Sequence, residues 1–153
     1  MNSLKRQVRF HHLSSAFSLA DRGRLKAFII KVFKNENQLL DKISVIFCSD
    51  AYLLDINNKS LGHDYYTDII SFPLSEPGCP IHAELYISVD RVRENAYLFK
   101  KSFANELHRV IFHGVLHLCG YMDKSRAEKS LMRRMEDHYL LGYFRNVPRG
   151  TFL

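Results

Sequence analysis

The sequence predicts an α+β fold, a small sheet with helices packed against it, and three observations carry that reading. Apolar residues recur at helical spacing through several stretches. Three short runs read as strands, one of them strictly alternating. Residues that start and stop helices stand at the joins.

Residues 21–40 predict the first helix, because Leu25, Phe28, Ile29, Val32 and Phe33 share one face. Residues 43–48 are a short apolar, β-branched run bounded by polar residues, and so predict a strand. A short helix over 51–58 and a strand over 68–74 follow. Glu76-Pro77-Gly78-Cys79-Pro80 reads as a turn between strands. In the next strand, 82–89, Ala83, Leu85, Ile87 and Val89 alternate with His82, Glu84, Tyr86 and Ser88, which leaves one face polar. Asp90 suits the N-cap of a helix reaching residue 99. Ser102 suits that of a helix over 103–119, which Gly120 can end in a left-handed conformation. Ser125 and Glu128 have the spacing of a capping box, after which Leu131, Met135 and Tyr139 share one face of the last helix.

A chain of 153 residues with 46% hydrophobic content is long enough for one substantial core, so residues 1–153 read as a single domain. The apolar stretches at 27–33 and 110–118 are interrupted by Lys31 and His113, well short of the roughly 20 residues a membrane span needs. Lys5, Arg6 and Arg9 precede no adequate apolar core or cleavage site, which argues against a secretory signal and for the cytoplasm. Cys48, Cys79 and Cys119 form no C-x-x-C clip and cannot all pair within the chain, so they read as reduced thiols. The net charge of +6 favours an anionic partner, nucleic acid being the commonest, although solubility alone explains it equally well.

The segment from His113 through Gly120 to Asp123 carries the chemistry. At about 100° per residue, helix positions four apart lie roughly 40° from each other, so His113 and His117 project from one face and can share a metal. A helix ending at Gly120 lets the chain turn back, so that Asp123 can supply a third ligand, as in the longer histidine pattern of zinc hydrolases. Three protein ligands with one open position are the layout of a catalytic zinc site. An i, i+4 histidine pair also arises by chance, and the spacing alone leaves the two readings evenly balanced. Cys119, about 200° around from His117, reads as a structural thiol. Position 114 is glycine, where peptide-cleaving H-E-x-x-H helices carry their general base, which argues against a peptidase. Glu106 lies near the face of His113, with an exposed helix glutamate as the simpler reading.

His113-Gly114-Val115-Leu116-His117-Leu118-Cys119-Gly120-Tyr121 resembles the H-G-x-L-H-L-x-G-Y hallmark of the YbeY family, bacterial ribosomal RNA maturation factors that are metal-dependent endoribonucleases. Thr67-Asp68-Ile69-Ile70-Ser71-Phe72-Pro73 resembles the family's T-D-V-L-S-F-P strand. Glu84-Leu85-Tyr86-Ile87-Ser88 resembles its G-D-I-x-I-S strand with Glu for Asp, and Asn95-Ala96 and Glu106-Leu107 fall where the family has Q-A and E-L pairs. The resemblance runs from Ile43 onward. It implies a small mixed four-stranded sheet flanked by helices with a zincin-like metal helix, and one Zn2+ per chain. It also implies single-stranded RNA as substrate, especially the small-subunit ribosomal RNA precursor, with the small ribosomal subunit as partner. Two departures stand out. The family's third histidine corresponds to Asp123, and its R-G-K-D segment to Leu61-Gly62-His63-Asp64, so an arginine is absent. A guanidinium there would clamp a scissile phosphate, a task left to His63 or another basic residue.

Arg91 and Arg93 beside the polar strand, and Lys124, Arg126, Arg133 and Arg134 after the metal loop, are candidates for phosphate contact, with a solvated role as the alternative for each. Tyr65 and Tyr66 are candidates for stacking on unpaired bases, with core packing as the alternative for at least one. The sequence thus reads as a metal-dependent endoribonuclease of ribosomal RNA processing, with His113, His117 and Asp123 as ligands and an activated water as nucleophile. An assembly or RNA-binding factor with a structural metal, and a metal hydrolase of another substrate class, are the alternatives.

Overall fold

The computed structural model describes residues 6–13 and 17–145; Lys5 lies outside them. Four strands, β1 (Val8–His12), β2 (Leu40–Cys48), β3 (Ile69–Pro73) and β4 (Ile81–Ser88), form one sheet in the order β1-β2-β4-β3. β1 and β4 both run parallel to β2, and β3 runs antiparallel to β4, so the sheet is mixed. Five helices are described: α1 (Arg22–Asn35), α2 (Asp50–Leu61), α3 (Val89–Leu98), α4 (Phe103–Leu118) and α5 (Arg126–Arg145). Parallel neighbours need a crossover, which α1 supplies between β1 and β2, and α2 with β3 between β2 and β4.

The alternation along β4 decides which face is covered. Ala83, Leu85 and Ile87 are fully buried, and Leu85 and Ile87 join Val8, Val45 and Phe47 in one core with α1, α3, α4 and α5. The opposite face is capped only in part by α2, through a small cluster of Cys48, Leu53 and Ile70. There Glu84 accepts a hydrogen bond from Tyr86 Oη at 2.7 Å. α4 lies hard against the sheet: a Cβ at Gly114 would come within 2.6 Å of Ile69 Cδ1 and 2.9 Å of Leu85 Cδ1.

Several boundaries differ from the sequence reading, each for a local reason. β1 was not anticipated; its burial pattern places only Val8 fully inside, a weak signal in five residues. The first helix ends at Asn35, not residue 40, because Asn37 turns left-handed (φ 56°) and Gln38 N–H returns to Phe33 O. Pairing of Leu40 with Ile81 then draws the chain into β2 three residues early. α2 continues to Leu61 and stops at Gly62, with φ 68°. Ser88, not Asp90, caps α3 by accepting from Arg91 N–H at 3.1 Å, and Asp90 accepts from Asp50 N–H instead. Ser102 caps α4, and Ser125 with Glu128 forms the reciprocal capping box. On α5 the buried residues are Met132, Glu136, Tyr139, Leu140 and Tyr143; Tyr139 is buried as the sequence reading expects and Met135 packs against the core, whereas Leu131 is 40% exposed.

The three cysteines are unpaired. No described helix is long and apolar enough to cross a membrane.

Candidate metal centre

α4 delivers both histidines and its C-terminus delivers the carboxylate. Gly120 adopts φ 103° and closes a Schellman motif, with Gly120 N–H on His117 O (3.0 Å) and Tyr121 N–H on Leu116 O (3.1 Å). The reversed chain brings Asp123 back over the helix. Asp123 Oδ2 lies 3.4 Å from His113 Nε2 and 3.2 Å from His117 Nε2, and the three donor atoms fall within 4.8 Å of one another. Zinc bonds of about 2.0–2.1 Å in a tetrahedron place donors roughly 3.3 Å apart, the separation that both Asp123 contacts show.

The other ring nitrogens are already committed. His113 Nδ1–H donates to Glu136 Oε2 at 2.8 Å, and His117 Nδ1–H donates to the Tyr121 carbonyl at 2.8 Å. Each partner accepts only, so each ring carries its proton on Nδ1 and offers the Nε2 lone pair to the centre, the arrangement that orients metal-ligating histidines. Burial opposes protonation of His113, but Glu136 foremost, then Asp68 and Asp123, outweighs it and holds the imidazole above its ordinary range. Tyr121 is pinned in turn: its hydroxyl donates to Glu36 at 2.6 Å, which ties the ligand loop to the end of α1.

Two recesses meet at the triad. The first, about 600 Å³, runs from His113, His117 and Asp123 past Asp68 to Leu61, His63, Tyr65 and Lys124. The second, about 370 Å³, shares Asp68, His113 and Asp123 and extends to Asn95, Phe99, Glu106, Arg109, Arg133 and Glu136. Burial raises the Asp68 carboxyl against the opposing pull of His113, and burial likewise raises Glu106.

A family model described as Endoribonuclease YbeY matches residues 14–143. The chain belongs to the YbeY family of endoribonucleases. It is 43% identical over 128 residues to the Endoribonuclease YbeY of Cytophaga hutchinsonii, covering 84% of this chain and 90% of that one. It is 52% identical over 113 residues to that of Flavobacterium psychrophilum, covering 74% and 80%. A solution structure of a Thermotoga maritima protein aligns over 94% of this chain and 98% of its own, with a TM-score of 0.57 and 24% identity, and shows the likeness of fold alone.

Three of the stretches that resemble YbeY sequences meet the histidine helix here. Asp68 from the start of the 67–73 stretch, Asn95 from α3 and Glu106 from α4 all line the second recess beside His113. Glu106 is only 4% exposed, which corrects its reading as a surface glutamate. Cys119 caps α4, packs against the core, and has its thiol pushed up to about 12 by burial, as a structural thiol would. The sequence reading missed Glu136 and Arg109. Glu136 sits 5% exposed on the inward face of α5 and also accepts from Arg109 Nη1 at 2.9 Å, while Arg109 Nη2 reaches Asp137. An acid four residues from Met132 and three from Tyr139, on an otherwise apolar stripe, was the available signal.

The basic candidates divide. Arg91 is paired with Asp50 (2.8 Å) and Glu94 (3.0 Å) and lies over the Tyr66 ring, and Arg93 lies over the Phe103 ring. Lys124 lines the first recess and Arg133 the second, whereas Arg126 and Arg134 are exposed on α5. Leu61, in the place of the family arginine, lines the first recess with His63, whose ring stacks on Tyr65 at 5.1 Å. Tyr65 and Tyr66 are each more than half exposed, so neither is a core residue.

Proposed function

We propose that the chain is a single-strand-specific, metal-dependent endoribonuclease that acts in the cytoplasm on the small-subunit ribosomal RNA precursor, with the small ribosomal subunit as partner. His113, His117 and Asp123 would hold one Zn2+. The observation that carries the proposal is the convergence of two Nε2 atoms and one carboxylate oxygen, 3.2–3.4 Å apart across the Asp123 contacts, where two open recesses meet. A bound zinc ion supplies a Lewis acid and lowers the pKa of a coordinated water to about 7. Glu136 and the Tyr121 carbonyl keep both imidazoles in the ligating tautomer. Exposed Tyr65 offers a stacking surface for an unpaired base, and Lys124 a cation beside the triad. The close packing of Gly114 on the sheet leaves no room for the glutamate of a peptidase helix, which disfavours a peptide substrate.

The test is cleavage of a single-stranded RNA by wild type and an identically purified His117→Ala variant, each with and without zinc, alongside metal analysis. Metal-dependent cleavage by the wild type alone is expected. Equal cleavage by both proteins, or none by either, would replace the nuclease with an assembly factor whose metal is structural. Leu61 in the place of the family arginine is the observation that favours that second reading.

A further inference from the structure

The second recess holds two groups that neither the triad nor its supporting shell uses. Phe99 follows α3 as its C-cap, 55% exposed, and its backbone is fixed by its own N–H on Asn95 O (2.9 Å) and by Lys101 N–H on Ala96 O (2.9 Å). An aromatic ring presented from a fixed helix stop loses little freedom when something stacks on it. Arg133 lines the same recess from α5 with 62% of its side chain exposed, and its nearest carboxylate, Glu136, stands off at 3.9 Å. Arg109, the other guanidinium there, is spent on Glu136 and Asp137. The recess therefore offers one engaged arginine in its wall and one available arginine at its rim, with an exposed ring, continuous with the metal triad through His113 and Asp123.

We propose that Phe99 and Arg133 form a nucleotide subsite, in which the ring stacks on an unpaired base and the guanidinium holds the adjoining phosphate. It takes single-stranded RNA leaving the triad on the side away from Tyr65 and Lys124. The inference rests on the nuclease reading and extends it to the path of the strand. Asp68, Glu106, Asp123 and Glu136 line the recess and make its interior a poor place for an anion, and Arg133 is the group that can meet a phosphate at the rim. Base stacking on an aromatic tolerates any sequence, which suits a strand recognised by its lack of pairing. Lys100 and Lys101 follow Phe99 directly and are exposed, adding positive charge next to the ring.

The experiment measures binding of a fluorescein-labelled single-stranded oligoribonucleotide by anisotropy across a salt series, and cleavage of the same RNA. The proteins are wild type, Phe99→Ala, Phe99→Tyr, Arg133→Gln and, as a neighbouring surface control, Leu98→Ala. Phe99→Ala is expected to weaken binding about tenfold, with Phe99→Tyr and Leu98→Ala close to wild type. Arg133→Gln is expected to lower the log–log salt slope by about 0.7, the share of one single-strand phosphate contact. Wild-type affinity and salt slope in both variants, from a wild type that does cleave RNA, overturn the subsite and leave the nuclease standing. A wild type that neither binds nor cleaves overturns both. If RNA binding is untouched but Phe99→Ala weakens co-sedimentation with small ribosomal subunits, the ring docks a protein and the subsite is likewise overturned.

Discussion

Replacing Glu136 with glutamine tests the support of the metal centre without changing its shape. Each carboxylate oxygen has one strong donor: Oε1 takes Arg109 Nη1 at 2.9 Å and Oε2 takes His113 Nδ1–H at 2.8 Å. Glutamine can accept from only one of them, and its NH2 must face the other donor. A hydrogen bond to a charged group is worth about 1.5–3 kcal/mol, and Arg109 keeps its Asp137 contact, so the metal-free protein should lose about 2 kcal/mol. Arg109 cannot give up its proton, whereas the imidazole can shift its own. The amide oxygen therefore faces Arg109, its NH2 faces His113, and His113 moves its proton from Nδ1 to Nε2, the atom that faces Asp123. That move removes a ligand lone pair, and losing such an outer partner typically costs roughly 10–100-fold in metal affinity. The assay is zinc competition against a chromogenic chelator, paired with urea unfolding in excess chelator, for wild type, Glu136→Gln and His117→Ala. His117→Ala should lose zinc with less loss of metal-free stability, because His117 Nδ1 bonds only a carbonyl. Zinc affinity within twofold of wild type in a natively folded Glu136→Gln would refute the tautomer argument.

Three further outcomes are expected. His108 is 2% exposed, donates Nδ1–H to Ala104 O, and is held near 4 by burial, so the folded state stays neutral where an unfolded histidine takes a proton near 6.5. Its contribution is intact above pH 6.5 and lost as pH falls toward 4, about 3 kcal/mol at roughly 1.36 kcal/mol per pH unit; urea unfolding of His108→Phe at both ends should lose that much less, and an equal acid loss would exclude His108 as the cause. In native protein a thiol-reactive chromophore should label Cys79 quickly, while Cys48 and Cys119, pushed up to about 12 by burial, react only on unfolding; fast release of more than one equivalent would contradict this. Gly114→Glu, which writes the peptidase motif into α4, should destabilise by more than about 3 kcal/mol by forcing a carboxylate against Ile69 and Leu85, with a folded, zinc-loaded, peptide-cleaving variant as the contrary result.

The candidate triad was legible because the spacing of His113, His117 and Asp123 is local: one helix and one Schellman turn bring all three together. What supports it was not, because Glu136 reaches His113 across 23 residues and Asp68 arrives from the bend before β3. The β4 alternation was read correctly because a strand with one buried face writes its period directly. β1 escaped because five residues with a single fully buried side chain carry too little pattern. The α5 error has a chemical origin. A glutamate sits in the middle of the buried face, so a count of hydrophobic residues loses its centre and admits Leu131 at its edge beside Met135 and Tyr139.

Position 114 and position 123 together explain how the site divides its charge. With α4 seated so closely that no Cβ fits freely at 114, the helix gives two imidazoles to the recesses and no general base of its own. The third donor is a carboxylate, so a divalent ion bound here keeps about one net positive charge within its ligand set, where three histidines would leave two. Asp68 and Glu136 beside the triad reduce the field further. A phosphodiester approaching such a centre meets less attraction from the ion itself and depends more on cations at the edge. Lys124 lines one recess and Arg133 the other, while Leu61 contributes no charge. The acidic ligand and the basic rims are therefore one electrostatic arrangement. Anion binding here should weaken with salt more steeply than zinc binding, because Arg133 and Lys124 are exposed and readily screened whereas zinc would be held by direct coordination.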